Sequence, residues 1–458
     1  MSGVFDLVVL GGGPGGYRAA ELAAKSGMKV ALVEKDRLGG MCLNRGCIPT
    51  KAYYARIVGG HGDVESLWEG KEEIVSRLRE GLATLMRMTG VETFRGTGRI
   101  VGTGEVKKLE VSLENGSVQE IEGRNLLIAT GSRSLPLEIE GAGLPGVITG
   151  DWAVASPDLW KSPERESFSS VALVGAGVIA VELAAIFRKM GKEVTILKHS
   201  DELLRRADKD IKKKLAQNFR KKKINMVDFF RPERISREGS GIRVFGSTPN
   251  GPREVECDRL IVASSMVPVL EGFGLENTSI QADPRKGIPV DEGMRTCEPG
   301  IFAIGDVTGG MMLAHLAEYQ ALAAVEAMRG RTVALPGESV PWCVFSDPEI
   351  AAVGLSEQEA EKRGLPFVVG RAYFLGNGMA LALGQVDGFV KVVAGRDGKL
   401  LGVHMVGPET ASMISEAALA IRNGLSVRDV AYTVHPHPTL SECFKDALFR
   451  TLEELEKE

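Results

Sequence analysis

Two sulfurs stand close together in the run GGMCLNRGCIPTK, residues 39–51, where Cys42 and Cys47 are hemmed in by glycines, a proline and Lys51. A disulfide needs Cα atoms roughly 4.4–6.8 Å apart, whereas positions i and i+5 of a regular helix are separated by about 7.5 Å along the axis. The pair therefore requires distorted backbone, which Gly46 and Pro49 can supply. A bridge on such a turn is more readily reduced than an unstrained one, and a helix N-terminus stabilises the thiolate that forms. The competing reading is two buried or zinc-binding cysteines; zinc normally takes two ligand pairs, and no partnering Cys/His pair lies nearby. A second chemical candidate is HPHPTLSE, in which His435 and His437 sit among prolines just before a helix expected to open at Thr439. Glu442 follows closely, so His437 has the makings of a base oriented by a carboxylate.

Composition narrows the setting for this chemistry. At 458 residues, with 44% hydrophobic and 25% charged residues, the chain reads as two or three globular domains. A formal charge of −4 gives no reason to expect nucleic acid, and the lysine runs at 212–214 and 221–223 read as a solvated helix face. No run approaches the roughly 20 apolar residues of a membrane span, and the chain enters a strand at once, so no membrane association or leader is expected. Six cysteines in a chain this long do not make an extracellular disulfide scaffold, which points to a reducing, cytoplasmic setting. There a close cysteine pair is more plausibly catalytic than structural.

The elements around the cysteines say what feeds them. FDLVVL leads into GGGPGGYRAAELAAKSG, placing Gly11, Gly13 and Gly16 between a strand and an alanine-rich helix, and a second apolar run ends on Glu34. This is a dinucleotide-binding turn in full context: Gly11 for the turn, Gly13 for approach of a pyrophosphate, Gly16 for close helix packing, and Glu34 to accept from a ribose. A dinucleotide beside a disulfide points to FAD, because a flavin can take hydride on one face and react with sulfur on the other. Residues 94–128 read as a small β-meander ending in ATGS, with Thr130 and Gly131 against the cofactor. Asp306, at a strand end ahead of a helix, can bind a ribityl hydroxyl or a phosphate-bridging water.

The pattern then repeats. VALVGAGVIAVELAAIFRKMGKEVTILKH matches the first unit at constant offset, Gly11 with Gly175, Gly13 with Gly177 and Gly27 with Gly191. A second dinucleotide, a nicotinamide, is therefore expected to feed the flavin. The second copy departs in having Ala180 for Gly16 and Lys198 for Glu34, with His199, Arg205 and Arg206 following. A carboxylate would repel a 2′-phosphate and these groups would attract one, which leans the coenzyme towards NADP(H) over NAD(H).

With these pieces assembled, the chain resembles the flavin-dependent pyridine nucleotide-disulfide oxidoreductases, and within them the dihydrolipoamide dehydrogenases. GGGPGG, GGMCLNRGCIPTK, ATGS, GAGVIAVEL, AIGDV with LAH, and HPHPTLSE arrive in the family's order over essentially the whole length. The resemblance implies an α/β fold with two Rossmann-like domains and a C-terminal α+β interface domain. The expected divisions are 1–150 for FAD, 151–270 for NAD(P), 271–339 completing the FAD site, and 340–458 for dimerisation. Within them, 151–170 reads as a linker. It also implies a homodimer whose active-site histidine comes from the partner subunit. Carried over by position, Cys42 resembles the interchange thiol and Cys47 the charge-transfer thiol. Lys51 matches the lysine paired with a glutamate, here Glu182; His437 matches the acid/base and Glu442 its orienting partner; Ala314 of LAH falls in the FAD site.

Departures from the lipoamide enzymes remain. Besides Ala180, Lys198 and His199, IVASSMVPV at 261–269 lacks the family's arginine, and Arg45, Tyr53 and Tyr54 flank the cysteines where smaller or aliphatic residues are common. The expectation is an FAD-dependent dithiol/disulfide oxidoreductase of dihydrolipoamide dehydrogenase type acting on a lipoyl-type substrate. The alternative is an NADPH-dependent reductase of another small or protein disulfide, glutathione-like or thioredoxin-like. Cys257, Cys297, Cys343 and Cys443 read as packing residues, no metal is expected, and membership of a multienzyme complex stays open.

Overall fold

The strand Phe5–Leu10 is apolar except at Asp6 because both of its faces are covered, and it lies at the centre of the first sheet. It pairs in parallel with Val30–Glu34 on one side and with the end of Val118–Ile128 on the other. Strands Glu92–Gly102, Lys107–Leu113 and Val118–Ile128 form the antiparallel meander, their buried residues alternating as the sequence does. Ile301–Ala303 adds in parallel beside Val118–Ile128, so a late segment completes the first sheet. This computed structural model describes residues 3–60, 65–161, 163–239 and 241–457.

The second sheet is entirely parallel, with Ser170–Val174 at its centre, Glu193–Leu197 and Asn225–Val227 on one side, and Arg259–Val262 and Val147–Thr149 on the other. A third, five-stranded antiparallel sheet spans Trp342–Val344 to Leu400–Gly407 in the chain and is packed by the helices Thr410–Arg422 and Glu442–Leu455. The architecture is thus the expected one: two doubly covered nucleotide-type sheets and a C-terminal α+β layer.

Two local expectations are corrected. The 151–170 stretch is not a free linker. It folds into the short helices Gly150–Ala153 and Pro157–Trp160, and buries Leu159, Trp160 and Phe168 in the core of the second nucleotide unit. Ser156 and Pro157 are helix-start residues, which composition alone reads as linker. Trp160 stacks on Tyr53 at 3.8 Å and on Phe187 at 5.0 Å, and its Nε1–H donates to the Ala153 carbonyl at 2.6 Å. Burying an indole of this size is worth roughly 4–6 kcal/mol of transfer free energy. Since Tyr53 lies on the cysteine-bearing helix Cys47–Ile57, the stack fixes that helix to the second nucleotide unit. The second correction concerns the C-terminal helix, which begins at Glu442 rather than Thr439. Its carboxylate accepts from the Thr439 N–H at 3.0 Å, so Thr439 belongs to the turn before the helix.

The second nucleotide unit is tied to the C-terminal sheet by a buried ionic cluster. Lys391, fully buried, meets Asp208 at 2.8 Å, Asp210 at 2.8 Å and Glu357 at 2.6 Å. His404 lies close by, buried, its Nε2–H donating to the Leu355 carbonyl at 3.0 Å.

Candidate active site

The cysteine run folds as two short helices, Gly40–Arg45 and Cys47–Ile57, broken at Gly46, whose φ of −138° and ψ of −110° no helix adopts. The break removes the helical separation and brings both sulfurs into interaction. Both are free thiols in the structure. Cys47 is held below the ordinary thiol range, first by the hydrogen bond it receives from the Cys42 thiol and then by the Lys51 charge. Cys42 is correspondingly pushed up, by that same hydrogen bond and then by burial. The pair is polarised, with negative charge favoured on Cys47 over Cys42.

Lys51 Nζ reaches both oxygens of Glu182 at 2.9 Å, although the two residues lie on different nucleotide units. Glu182 Oε1 also accepts the Phe345 N–H at 2.9 Å, and the Phe345 ring lies 4.7 Å from the ammonium. Phe345, from the C-terminal layer, is a contributor that sequence reasoning missed, because a backbone donor leaves no mark in residue type. Tyr54 packs edge-on against this ring and donates to the Ser346 carbonyl at 3.1 Å.

A continuous cavity of about 2770 Å³ joins the first glycine turn, the cysteines, Lys51, Glu182 and the second glycine turn. Gly11, with φ of +110°, would put a Cβ 2.2 Å from the Ala129 carbonyl oxygen, and a Cβ on Gly16 would stand 1.8 Å from that of Gly11. No side chain fits at either, whereas a Cβ on Gly13 or Gly177 would meet nothing closer than 3.9 Å. In the second copy Gly175 is equally constrained, with φ of +128°, but Ala180 is accommodated and buried. Glu34 accepts from the backbone N–H of Gly12 at 2.6 Å and of Asp36 at 2.8 Å. Thr130, Gly131, Asp306 and Ala314 all line the cavity. Asp306 accepts from Ser132 Oγ at 2.6 Å and is raised by burial.

A family model described as pyridine nucleotide-disulphide oxidoreductase matches residues 5–321, and the dimerisation domain of the same family matches residues 340–448. The chain belongs to this family. Among relatives of the oxidoreductase, it is 36% identical to dihydrolipoyl dehydrogenase of Bacillus subtilis over 98% of each chain. It is 37% identical to that of Chlorobaculum parvum, over 99% of this chain and 98% of the relative. Among solved structures, LpdA from Mycobacterium tuberculosis superposes with a TM-score of 0.87 at 25% identity, covering 97% and 99% of the two chains. RclA, an HOCl-induced flavoprotein disulfide reductase from Escherichia coli, gives 0.88 at 25% identity with the same coverage. The oxidoreductase is therefore an FAD-dependent disulfide oxidoreductase of dihydrolipoyl dehydrogenase type, using a nicotinamide coenzyme, and its dimerisation domain makes it a homodimer. The residues fit FAD: Gly11 and Gly16 let the turn pack more tightly than any Cβ would allow, Gly13 leaves the cavity open beside it, and Glu34 and Asp306 stand at the cavity wall.

Two groups of sequence-derived site residues lie off the cavity: Lys198 and His199, against expectation, and His437, which the resemblance assigns to the site of the partner subunit. Lys198 does not face the cavity of the oxidoreductase; its side chain is only 3% exposed, with the ammonium on Asp228 at 2.8 Å and on the Asp201 carbonyl at 2.6 Å. It occupies the strand end where Glu34 sits in the first copy, but an acidic neighbour on the next strand has drawn it inward. His199 is exposed and also off the cavity, whereas Arg205 and Arg206 line it. His437 meets Glu442 at 3.0 Å through Nδ1, yet it is 78% exposed and does not line the cavity that holds Cys42. His435 is tied instead to Glu416 at 2.9 Å. Of the other cysteines, Cys257 and Cys443 are buried in cores, each pushed up to about 12 by burial. Cys297 is exposed, which corrects the packing expectation, and Cys343 lines the catalytic cavity, raised to about 11 by burial. Among the described residues no helix is long and apolar enough to cross a membrane, and no group of three or more acidic, His or Cys side chains could hold a metal.

Proposed function

We propose that the enzyme oxidises a lipoyl-type dithiol at Cys42 and Cys47, with His437 and Glu442 of the partner subunit serving each site. The observation that carries this is the polarised thiol pair, with Lys51 beside Cys47, opening on the same cavity as both glycine turns. Starting from the oxidised pair, His437 takes a proton from a substrate thiol. The resulting thiolate attacks Cys42 Sγ, the Cys42–Cys47 bond breaks, and its electron pair leaves on Cys47, where the Lys51 charge receives it. The second substrate thiol then passes its proton to the departing Cys42 as its sulfur attacks the mixed-disulfide sulfur, while the first proton stays on His437. The substrate leaves as a disulfide and the cysteines remain as the reduced dithiol pair, Cys42 protonated and Cys47 as thiolate. FAD, when bound, supplies the two-electron exchange between that dithiol and the nicotinamide.

Exposure of His437 away from the cysteine cavity supports sharing between subunits, because one copy alone leaves the base outside its own site. Glu442 holds the Nδ1 side of the ring, leaving Nε2 for the substrate. The division into units at 1–150, 151–270, 271–339 and 340–458 is supported by the sheets in outline, with Val147–Thr149 joining the second sheet and Ile301–Ala303 returning to the first.

A second reading is favoured by one observation. Arg205 and Arg206 face the cavity where a 2′-phosphate would lie, and no carboxylate takes the position of Glu34 in the second unit. This suits NADPH and reduction of another small-molecule or protein disulfide. The NADP(H) preference then rests on the arginines rather than on Lys198. Steady-state assay of the pure protein decides between the readings. Turnover with dihydrolipoamide and NAD supports the first. Turnover only with NADPH and a disulfide such as oxidised glutathione or thioredoxin overturns it.

A further inference from the structure

Tyr54 has no part in the chemistry above, yet it stands on the same stripe of the helix Cys47–Ile57 as Cys47 and Lys51, at i, i+4 and i+7 spacing. Tyr53, one residue earlier, belongs instead to the Trp160 stack. The Tyr54 hydroxyl is shared between two acceptors on the C-terminal layer, the Ser346 carbonyl at 3.1 Å and Glu349 Oε1 at 3.3 Å. Its ring meets Phe345 edge-on, with centroids 5.7 Å apart. Glu349 is itself held, accepting the Ala411 N–H at 3.3 Å through its other oxygen.

These contacts close a circuit. Phe345 turns its face to the Lys51 ammonium at 4.7 Å and donates its N–H to Glu182 at 2.9 Å, and Glu182 returns to Lys51 at 2.9 Å. The path leaves the cysteine helix at Tyr54, crosses the C-terminal layer and the second nucleotide unit, and re-enters the same helix at Lys51. Phe345, Glu182 and Lys51 line the cavity, but Tyr54 and Glu349 do not, so a role for Tyr54 in the chemistry runs through its neighbours. Two opposed charges fix the direction of that role. Lys51 favours negative charge on Cys47 and Glu182 opposes it, with Lys51 the stronger of the two. Loosening the pair as a whole therefore removes more attraction than repulsion from the reduced sulfurs, and favours the disulfide.

We propose that Tyr54 is a positioning residue for the thiol–disulfide chemistry: its hydroxyl pins the segment 345–349 on the Lys51–Glu182 pair, which keeps the ammonium beside Cys47. The proposal rests on Cys42 and Cys47 being the redox pair.

The test is the equilibrium between disulfide and dithiol in the holoenzyme, poised anaerobically at pH 7 with mixtures of reduced and oxidised dithiothreitol. Oxidation of one dithiothreitol to its cyclic disulfide delivers the electron pair and the protons that open one Cys42–Cys47 bond. The two forms are trapped by acid, alkylated after denaturation and counted by peptide mass spectrometry. Lys51→Met should shift the equilibrium towards the disulfide by about tenfold. Tyr54→Phe, which keeps the ring and loses the hydroxyl, should shift it the same way by about threefold, within the worth of one hydrogen bond. In the Lys51→Met background, Tyr54→Phe should change nothing further. An unchanged equilibrium in Tyr54→Phe, whatever its melting temperature, overturns the proposal and leaves Tyr54 as a support of the fold. So does an equal shift with and without Lys51. Where Tyr54→Phe fails to retain FAD, Phe345→Leu carries the same test: it removes the ring face, keeps the N–H, and should also favour the disulfide, no shift there overturning the proposal. Failure of the oxidised wild-type enzyme to contain a Cys42–Cys47 disulfide is a separate result that removes the redox pair itself.

Discussion

The charge on Cys47 is set first by the Cys42 hydrogen bond and then by two charged neighbours, each of which leaves a measurable trace. The Lys51 charge lowers Cys47 while Glu182 raises it. Thiolate appears as pH rises through the thiol pKa, so a lowered value puts the half-point below the ordinary thiol figure of about 8.5. In the reduced enzyme, the pH midpoint for alkylation of Cys47 by iodoacetamide should therefore move up in Lys51→Met and down in Glu182→Gln, read by peptide mass spectrometry. Shifts of the same sign in both would show that packing, not charge, controls the sulfur. At His437 the expectation is kinetic. His437→Ala should lower turnover by roughly 10²- to 10⁴-fold, the usual worth of a positioned acid/base, with FAD content by absorbance unaltered.

Among the elements, the two glycine turns show what a sequence does and does not reveal. The motif spacing placed both turns and marked Ala180 in place of Gly16 as a departure of the second copy. Packing separates them: the first helix crosses so close to Gly11 that no Cβ fits, while the second leaves room for a methyl group. Gly16→Ala should accordingly abolish FAD retention through purification, and Ala180→Gly should keep it. The Trp160 stack was illegible for a different reason, since its partners Tyr53 and Phe187 come from other elements and composition could register only the prolines and serines around it. Trp160→Ala should cost about 3–5 kcal/mol of stability in denaturant unfolding. Lys198 misled because strand register predicts where a side chain starts; an acidic residue on the next strand, Asp228, decides where it ends.

Across the whole molecule, the two nucleotide units and the family were legible from repeated motifs, but the sharing of a site between two copies was readable only through resemblance. A reassortment experiment tests it directly. Neither Cys42→Ser nor His437→Ala homodimers should turn over, whereas denatured and refolded mixtures should recover about a quarter of wild-type activity, since half the dimers are mixed and each holds one complete site. No recovery would place both groups on one chain. Acid should also loosen the molecule through His404, which burial holds below the usual histidine value. An unfolded histidine takes up its proton near pH 6.5, so below that the unfolded state binds more protons and stability falls with falling pH. Asp208, Asp210 and Glu357, held low beside Lys391, add their own loss at still lower pH as they protonate. The melting temperature should decline from pH 7 to 5, and His404→Gln should flatten the upper part of that decline.

The cluster around Lys391 bears on modularity. Val344, Ile350, Phe389 and Val406 of the C-terminal layer pack in one core with the second nucleotide unit, beside the lysine that neutralises Asp208 and Asp210. Cutting the chain near residue 340 would strand two carboxylates and strip an oily face at once. The oxidoreductase thus cannot be shortened to a free-standing flavin reductase by deleting its tail, nor its tail swapped into a relative as a cassette, unless the lysine and its acidic partners travel together.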